Sequence, residues 1–177
     1  MTFAKRCDIL YYLLKCISMS KTERTENDMQ DKFETKYPFV ENEKEVLSFW
    51  KENDCFQKLK AKNANGPKYR FIDGPITANN PMGIHHTWGR TLKDTFIKYN
   101  AMKGRDTHYR NGFDSQGLWV EVEVEKELGF KTKHDIEAYG LDKFTEKCIE
   151  RVKKYSGVIT EQSKRLGQWM QWDNSYY

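Results

Sequence analysis

The chain has 177 residues, 38% of them hydrophobic and 32% charged, with 30 basic against 26 acidic side chains and a net charge of +4. That length carries one domain with a real core and excludes two comfortable ones. The charge bias is too mild for a protein that grips nucleic acid by charge alone, although it permits an RNA partner.

Near the N-terminus, Lys5 and Arg6 precede an apolar run from Ile9 to Leu14. The run is too short to span a bilayer and no small-residue cleavage site follows it. No membrane association is expected. From Met19, itself a candidate start, the chain turns polar, and residues 1–33 read as a flexible extension. The four cysteines, Cys7, Cys16, Cys55 and Cys148, have neither metal-clip nor redox spacing. They read as reduced thiols of a cytoplasmic protein.

A helical segment is expected over 34–66. Within it, 41–59 carries Val46, Phe49, Trp50, Phe56 and Leu59 as one apolar stripe. Asn65-Gly66-Pro67 makes a loop. Residues 69–73 then read as a strand, and 74–83 as a turn-rich connection with two prolines. A helix starts near His86, with Trp88, Leu92, Phe96, Tyr99 and Met102 spaced four, four, three and three apart, and Gly104 stops it. A second strand follows over 106–111 and ends at Gly112. Strand, loop, helix and strand make a βαβ unit with parallel strands. Residues 119–127 stay open between two readings. Val120, Val122 and Val124 alternate with glutamates as in a strand, while Leu128-Gly129 looks like a capped helix end. Over 142–166 a helix presents Phe144, Cys148, Val152, Tyr155 and Ile159 on one face.

In an open parallel sheet, ligands bind beyond the carboxyl ends of the strands, where loops meet helix starts. Two such places face one crevice here: the loop after Asp73 and the segment after Asn111. The first opens a helix whose free N–H groups favour phosphate, and His85 and His86 stand there. The second carries Asp114, an acid suited to a cationic group such as an ammonium. Each residue has a plainer reading, the histidines as surface or capping groups and Asp114 as a turn residue. Their common crevice is what argues for chemistry. His108 and His134 read as structural or solvated, and no residue set in this segment has zinc-ligand spacing.

The run Ile72-Asp73-Gly74-Pro75-Ile76-Thr77-Ala78-Asn79 resembles the approach to the first signature of class I aminoacyl-tRNA synthetases of the isoleucyl type. The family's His-Ile-Gly-His tetrad falls without a gap on Gly83-Ile84-His85-His86, and Leu92-Lys93-Asp94 follows at the family's spacing. Gly112-Phe113-Asp114 resembles the family's Gly-Trp-Asp segment, and Val124 to Gly129 its continuation. Arg165-Leu166-Gly167 with Trp172 to Tyr177 resembles the stretch before the family's editing insertion. The resemblance covers 38–177 and implies an α/β fold: 67–177 as the first half of a Rossmann-like parallel-sheet nucleotide-binding domain, ending before that insertion.

The resemblance implies an ATP-dependent aminoacyl-tRNA ligase. Such enzymes join an amino acid to ATP, then pass the aminoacyl group to tRNA. His86 and His85 would face the ATP phosphates, with Gly83 and Asn79 also at the ATP site. Pro75, through its carbonyl, and Asp114 would hold the amino acid. Mg²⁺ would travel with ATP, held largely by phosphate oxygens. Isoleucine is the expected amino acid, with leucyl- and valyl-type enzymes or a non-catalytic nucleotide- or RNA-binding remnant as alternatives.

The tetrad departs from the family, since its first His is Gly83 and its Gly is His85. Gly83 offers no side-chain donor, and His85 is a candidate substitute from a shifted position. Gln116 stands where the family usually has His, and Trp119 where it has Pro. Ser18-Met19-Ser20-Lys21 echoes the family's second signature but lies upstream of the first, and reads as coincidence. Half a parallel sheet exposes an edge and an apolar face, so the 177-residue product alone is expected to be poorly soluble or inactive.

Overall fold

The computed structural model describes residues 38–177. The extension 1–33, Met19, Cys7, Cys16, the Ser18 to Lys21 echo and the first residues of the expected helical segment lie outside the described residues. From Lys44 to Tyr177 the chain forms one unit.

Where the apolar spacing predicts one helix over 41–59, the structure has two, α1 (Phe39–Glu52) and α2 (Cys55–Asn63). The break is at Asp54, whose φ of 49° lies in the left-handed region that Asp tolerates better than most residues. Asn53 Nδ2 donates to the Phe49 carbonyl at 3.0 Å, a local bond that ends the turn. Helix α2 buries Cys55, Leu59 and Asn63. Asn63 Nδ2 donates to the carbonyls of Ala101 (2.7 Å) and Arg105 (3.1 Å), which ties α2 to the end of the next helix.

The predicted βαβ unit is present as β1 (Lys68–Phe71), α3 (Ile84–Met102) and β3 (Asp106–Asp114), with a short β2 (Ile76–Thr77) before the helix. Strand β3 is the hub of the sheet. It pairs in parallel with β1 from Lys68↔Asp106 to Phe71↔Tyr109, and with β2 at Ile76↔Phe113 and Thr77↔Asp114. A further parallel strand, β4 (Gln171–Tyr176), pairs with it at Arg110↔Gln171 and Gly112↔Tyr176. The sequence reading ends the second strand at Gly112. The structure continues it to Asp114 because β2 supplies partners for Phe113 and Asp114.

Residues 118–128 resolve as a helix, α4 (Leu118–Leu128), followed by α5 (Lys133–Tyr139) and the long α6 (Leu141–Arg165). Period-two alternation argues for a strand, but the charges satisfy helical spacing instead. Glu121 and Glu125 both face Lys133, and Glu123 and Glu127 both face Arg151. Val120 and Val124, four apart, are buried between those edges. Gly129 caps α4 in the left-handed region at φ 72°.

Helix α3 lies where the spacing puts it, yet its apolar stripe is turned outward. Trp88, Phe96, Tyr99, Met102 and Leu92 are 50–68% exposed. The inward face carries Arg90, Asp94, Ile97 and Ala101. Polar contacts hold that orientation: Lys93 reaches Asp73, Lys98 donates to the Gly167 carbonyl at 2.6 Å, and Asp94 Oδ1 accepts the Trp169 N–H at 3.2 Å. Five large apolar side chains in one row form a surface suited to another structural element. Among the described residues no helix is long and apolar enough to cross a membrane.

The core beneath the site joins Ala78, Phe113, Val120, Val152 and Ile159. Gly112 is imposed by packing, since a Cβ there would stand 2.2–2.6 Å from the Tyr176 ring. Burial raises the pKa of Cys55 and of Cys148, so neither thiol is a thiolate at neutral pH.

Candidate active site

The connection between β1 and α3 is fixed at three points. At the first, the Asp73 carboxylate accepts from Lys93 Nζ of α3 and from the Tyr109 hydroxyl of β3 at 3.0 Å. Burial and the adjacent Asp73 charge push the Tyr109 phenol far up, so it stays a donor. Lys93 and Asp94 of the Leu-Lys-Asp motif therefore act as braces within the fold.

The second point is the end of β3. Thr77 Oγ1 donates to Asp114 Oδ2 at 2.8 Å, and the Ala78 N–H donates to the Asp114 carbonyl at 2.9 Å. The Gln116 N–H approaches Asp114 Oδ1 at 3.4 Å. Pro75 directly precedes β2, so the strand pairing brings Pro75 and Asp114 to the same end of the sheet. Asn79 follows, half-buried, with its amide Nδ2 directed at the Trp119 carbonyl at 3.4 Å.

The third point is the start of α3. Gly83 is the N-cap, in extended conformation, and the first intrahelical bond is Thr87 N–H to the Gly83 carbonyl at 3.1 Å. The N–H groups of Ile84, His85 and His86 precede that bond and are the donors that a helix start leaves over. The Gly83 N–H donates to His86 Nδ1 at 3.1 Å. Gly83 has no side chain to return the bond, so only half of a reciprocal capping pair exists. Because Nδ1 accepts, the neutral His86 ring carries its proton on Nε2 and presents a donor there. Burial, then the neighbouring His85 and Arg90, lower its pKa, which keeps the ring neutral.

His85 is exposed and packs on His86 with ring centroids 3.9 Å apart. Its ring covers the α-carbon of Gly83, where a built Cβ would lie 2.9 Å from Cε1 and 3.1 Å from Nδ1. Two imidazoles thus stand at the helix start, and the glycine makes room for one of them. The structure brings together Gly83, His85 and His86 at one end of the loop 78–83, and Pro75 with Asp114 at the other.

Several residues that hold this site carry no local signal in the sequence. Arg90 is 2% exposed; its Nη1 lies 3.3 Å from Gln168 Oε1 and 3.6 Å from Met170 Sδ, while its Nε has no partner among the described residues. Arg151 and Gln162 of α6 contact the loop itself. Each acts on residues more than 70 positions away, which a reading by motif cannot reach.

A family model described as tRNA synthetases class I (I, L, M and V) matches residues 45–177. The chain belongs to the class I tRNA synthetases. Among curated relatives, the isoleucine–tRNA ligase of Archaeoglobus fulgidus is 41% identical over 141 residues, covering 80% of this chain and 14% of that protein. The isoleucine–tRNA ligase of Clostridium novyi is 39% identical over 148 residues, 84% of this chain and 14% of its own. That of Pyrococcus horikoshii is 42% identical over 135 residues, 76% and 13% respectively. The chain thus spans about one-seventh of the length of these curated relatives. In this class I synthetase domain the helix start and the sheet end lie on the same short loop. Among the described residues no group of three or more His, Cys, Asp or Glu side chains could hold a metal ion.

Proposed function

We propose that this chain forms the ATP- and amino-acid-facing front of a cytoplasmic isoleucine–tRNA ligase. The observation that carries the reading is the pair of imidazoles at the start of α3, with Nδ1 of His86 engaged by the Gly83 N–H and its Nε2–H left as a donor. Leftover helix N–H groups and neutral imidazole donors together suit a polyphosphate. At the other end of the loop, Asp114 has a carboxylate already oriented by Thr77, which suits the ammonium of an amino acid. The names of the relatives favour isoleucine.

In the proposed reaction, an oxygen of the amino acid carboxylate attacks the α-phosphorus of ATP. The bond to the β-phosphate bridging oxygen breaks, and pyrophosphate leaves with its electron pair. A hydroxyl of the terminal ribose of tRNA then attacks the activated carbonyl, its proton passes to a phosphate oxygen of the AMP, and AMP leaves. The first step, with an ionised carboxylate as nucleophile, depends on position and charge more than on a general base. Asp114 and the Pro75 carbonyl hold the ammonium, and His86 with His85 and the first N–H groups of α3 hold the phosphates. Gly83 and Asn79 complete the ATP site. Mg²⁺ accompanies ATP as part of the substrate.

The test is ATP–pyrophosphate exchange by the protein encoded in the complete reading frame that contains this chain. Isoleucine should drive exchange, and Asp114→Ala should raise the KM for isoleucine about 10- to 100-fold, the loss of a charge-assisted bond. His86→Ala should weaken ATP to a similar degree. An unchanged isoleucine KM in Asp114→Ala, or exchange driven by leucine in preference to isoleucine, would overturn the reading.

A further inference from the structure

The loop 78–83 makes few hydrogen bonds of its own. Ala78 N–H reaches the Asp114 carbonyl, Asn79 N–H reaches the Thr77 carbonyl at 3.0 Å, and Gly83 N–H reaches His86. Pro81 has no N–H to give. The remaining polar contacts of the loop run mainly to one face of α6.

Arg151 holds the first part. Its side chain is 9% exposed. Nε donates to the Asn79 carbonyl at 2.9 Å and Nη2 to Asn80 Oδ1 at 2.9 Å. The guanidinium is itself held by Glu127 Oε2 at 2.7 Å and Glu123 Oε2 at 3.4 Å, and it lies 4.7 Å from the Tyr155 ring centre. Gln162 holds the last part, its Oε1 accepting the Met82 N–H at 2.8 Å. Ser163 Oγ adds a weak contact to Met82 Sδ at 3.8 Å. Arg151, Tyr155, Ile159 and Gln162 follow one another at steps of four, four and three, so a single face of α6 grips both ends of the loop.

We infer that Arg151 and Gln162 are positioning residues that set the geometry of the phosphate-facing helix start without touching the substrate. The inference rests on the proposed ATP site. The Met82 N–H lies one residue before the N-cap. Holding it against α6 fixes the direction in which the chain enters α3, and with it the aim of the His85 and His86 rings. Arg151 does the same for the Asn79 carbonyl and the Asn80 side chain, using a planar fork that a lysine cannot reproduce.

The experiment compares Gln162→Leu, Gln162→Glu and Arg151→Lys in the protein encoded by the complete reading frame that contains this chain. Hydrogen exchange of the Met82 amide and ATP·Mg²⁺ affinity are measured beside the thermal midpoint. Glutamate keeps an accepting oxygen, whereas leucine has none. Gln162→Leu should speed Met82 exchange and weaken ATP by about three- to tenfold, the loss of one hydrogen bond. Gln162→Glu should restore most of the protection, with a thermal midpoint close to that of the Leu variant. Arg151→Lys should speed exchange at the Asn79 amide, which donates to the Thr77 carbonyl, and weaken ATP without abolishing folding. Equal Met82 exchange in the Leu and Glu variants, or faster exchange with unchanged ATP affinity, overturns the positioning role. If the unmodified complete protein binds no ATP, the proposed phosphate site fails with it. Met82 protection then still reports whether α6 holds the loop.

Discussion

Gly83→Ala probes how closely the two changes in the tetrad depend on each other. A Cβ at this position would stand 2.9 Å from His85 Cε1, with His86 Nδ1 at 3.9 Å. Carbon atoms pack at about 3.5–4.0 Å, so the His85 ring must leave. It is exposed and can swing out, but it then forfeits its packing on His86. For two partly solvated rings that loss is about 0.5–1 kcal/mol, the lower part of the range for aromatic pairs. Alanine at an N-cap adds about 0.5–1 kcal/mol of its own. Gly83→Ala should therefore cost about 1–2 kcal/mol in total. When His85 is already alanine, only the capping part should remain. The assay is a double-mutant cycle of Gly83→Ala and His85→Ala by urea unfolding. The double variant should be more stable than the sum of the singles by about 0.5–1 kcal/mol. Additivity to within about 0.3 kcal/mol would refute the claim that the His85 ring occupies the space over Gly83.

Two further outcomes follow from the same geometry. The pKa of His86 is lowered by burial, so the folded state binds fewer protons there than the unfolded state; its stabilising share is complete above the unfolded value of about 6.5 and is lost as pH falls through that value toward the folded one. Protonation also removes the Nδ1 acceptor of the Gly83 N–H, so NMR titration should place the His86 midpoint below the ordinary histidine value of about 6.5. His86→Gln should flatten the fall in stability between about pH 7 and 5, and an unchanged slope would count against the assignment. Gly112→Ala should cost about 1–3 kcal/mol through displacement of the Tyr176 ring. Thermal unfolding should show most of that cost removed by Tyr176→Ala, and persistence of the full cost would point to the backbone instead.

Elements with local punctuation were legible in the sequence. Strand β1, helix α3 and helix α6 each carry periodicity bounded by turn or capping residues, and the structure places them within a few residues of the reading. The break between α1 and α2 was not legible, because Asn53-Asp54 interrupts no apolar spacing. Strand β4 is Gln-Trp-Asp-Asn-Ser-Tyr, with Asp and Asn that disfavour strands. Its pairing with β3 is a tertiary effect. The orientation of α3 misleads for a different reason. An apolar stripe is normally read as the buried face, but here Asp73, Arg90, Asp94 and Gln168 hold the opposite face inward. For the candidate site, Asp114 and the histidines stood out in the sequence because they sit at strand and helix ends, and Pro75 entered through the family resemblance. Arg151 was not, since a charged residue on a long helix ordinarily marks a solvated face.

The two ends of the loop differ in how much of their geometry is supplied in advance. Asp114 offers about four lone-pair positions, of which Thr77 and the Gln116 N–H occupy two. The carboxylate is thereby oriented while half its accepting capacity stays open, and a cation can bind there with little ordering left to do. At the helix start the N–H groups are fixed by α3 itself, but the two rings depend on contacts from outside: His86 on the Gly83 N–H, and His85 on the absence of a side chain at 83. The direction of Gly83 in turn depends on Met82 and so on Gln162. Precision at the proposed phosphate end is thus borrowed from α6, whereas at the proposed amino-acid end it is built into the pairing of β2 with β3. Substitutions on α6 should therefore disturb ATP more than the amino acid, and substitutions at Thr77 should do the reverse.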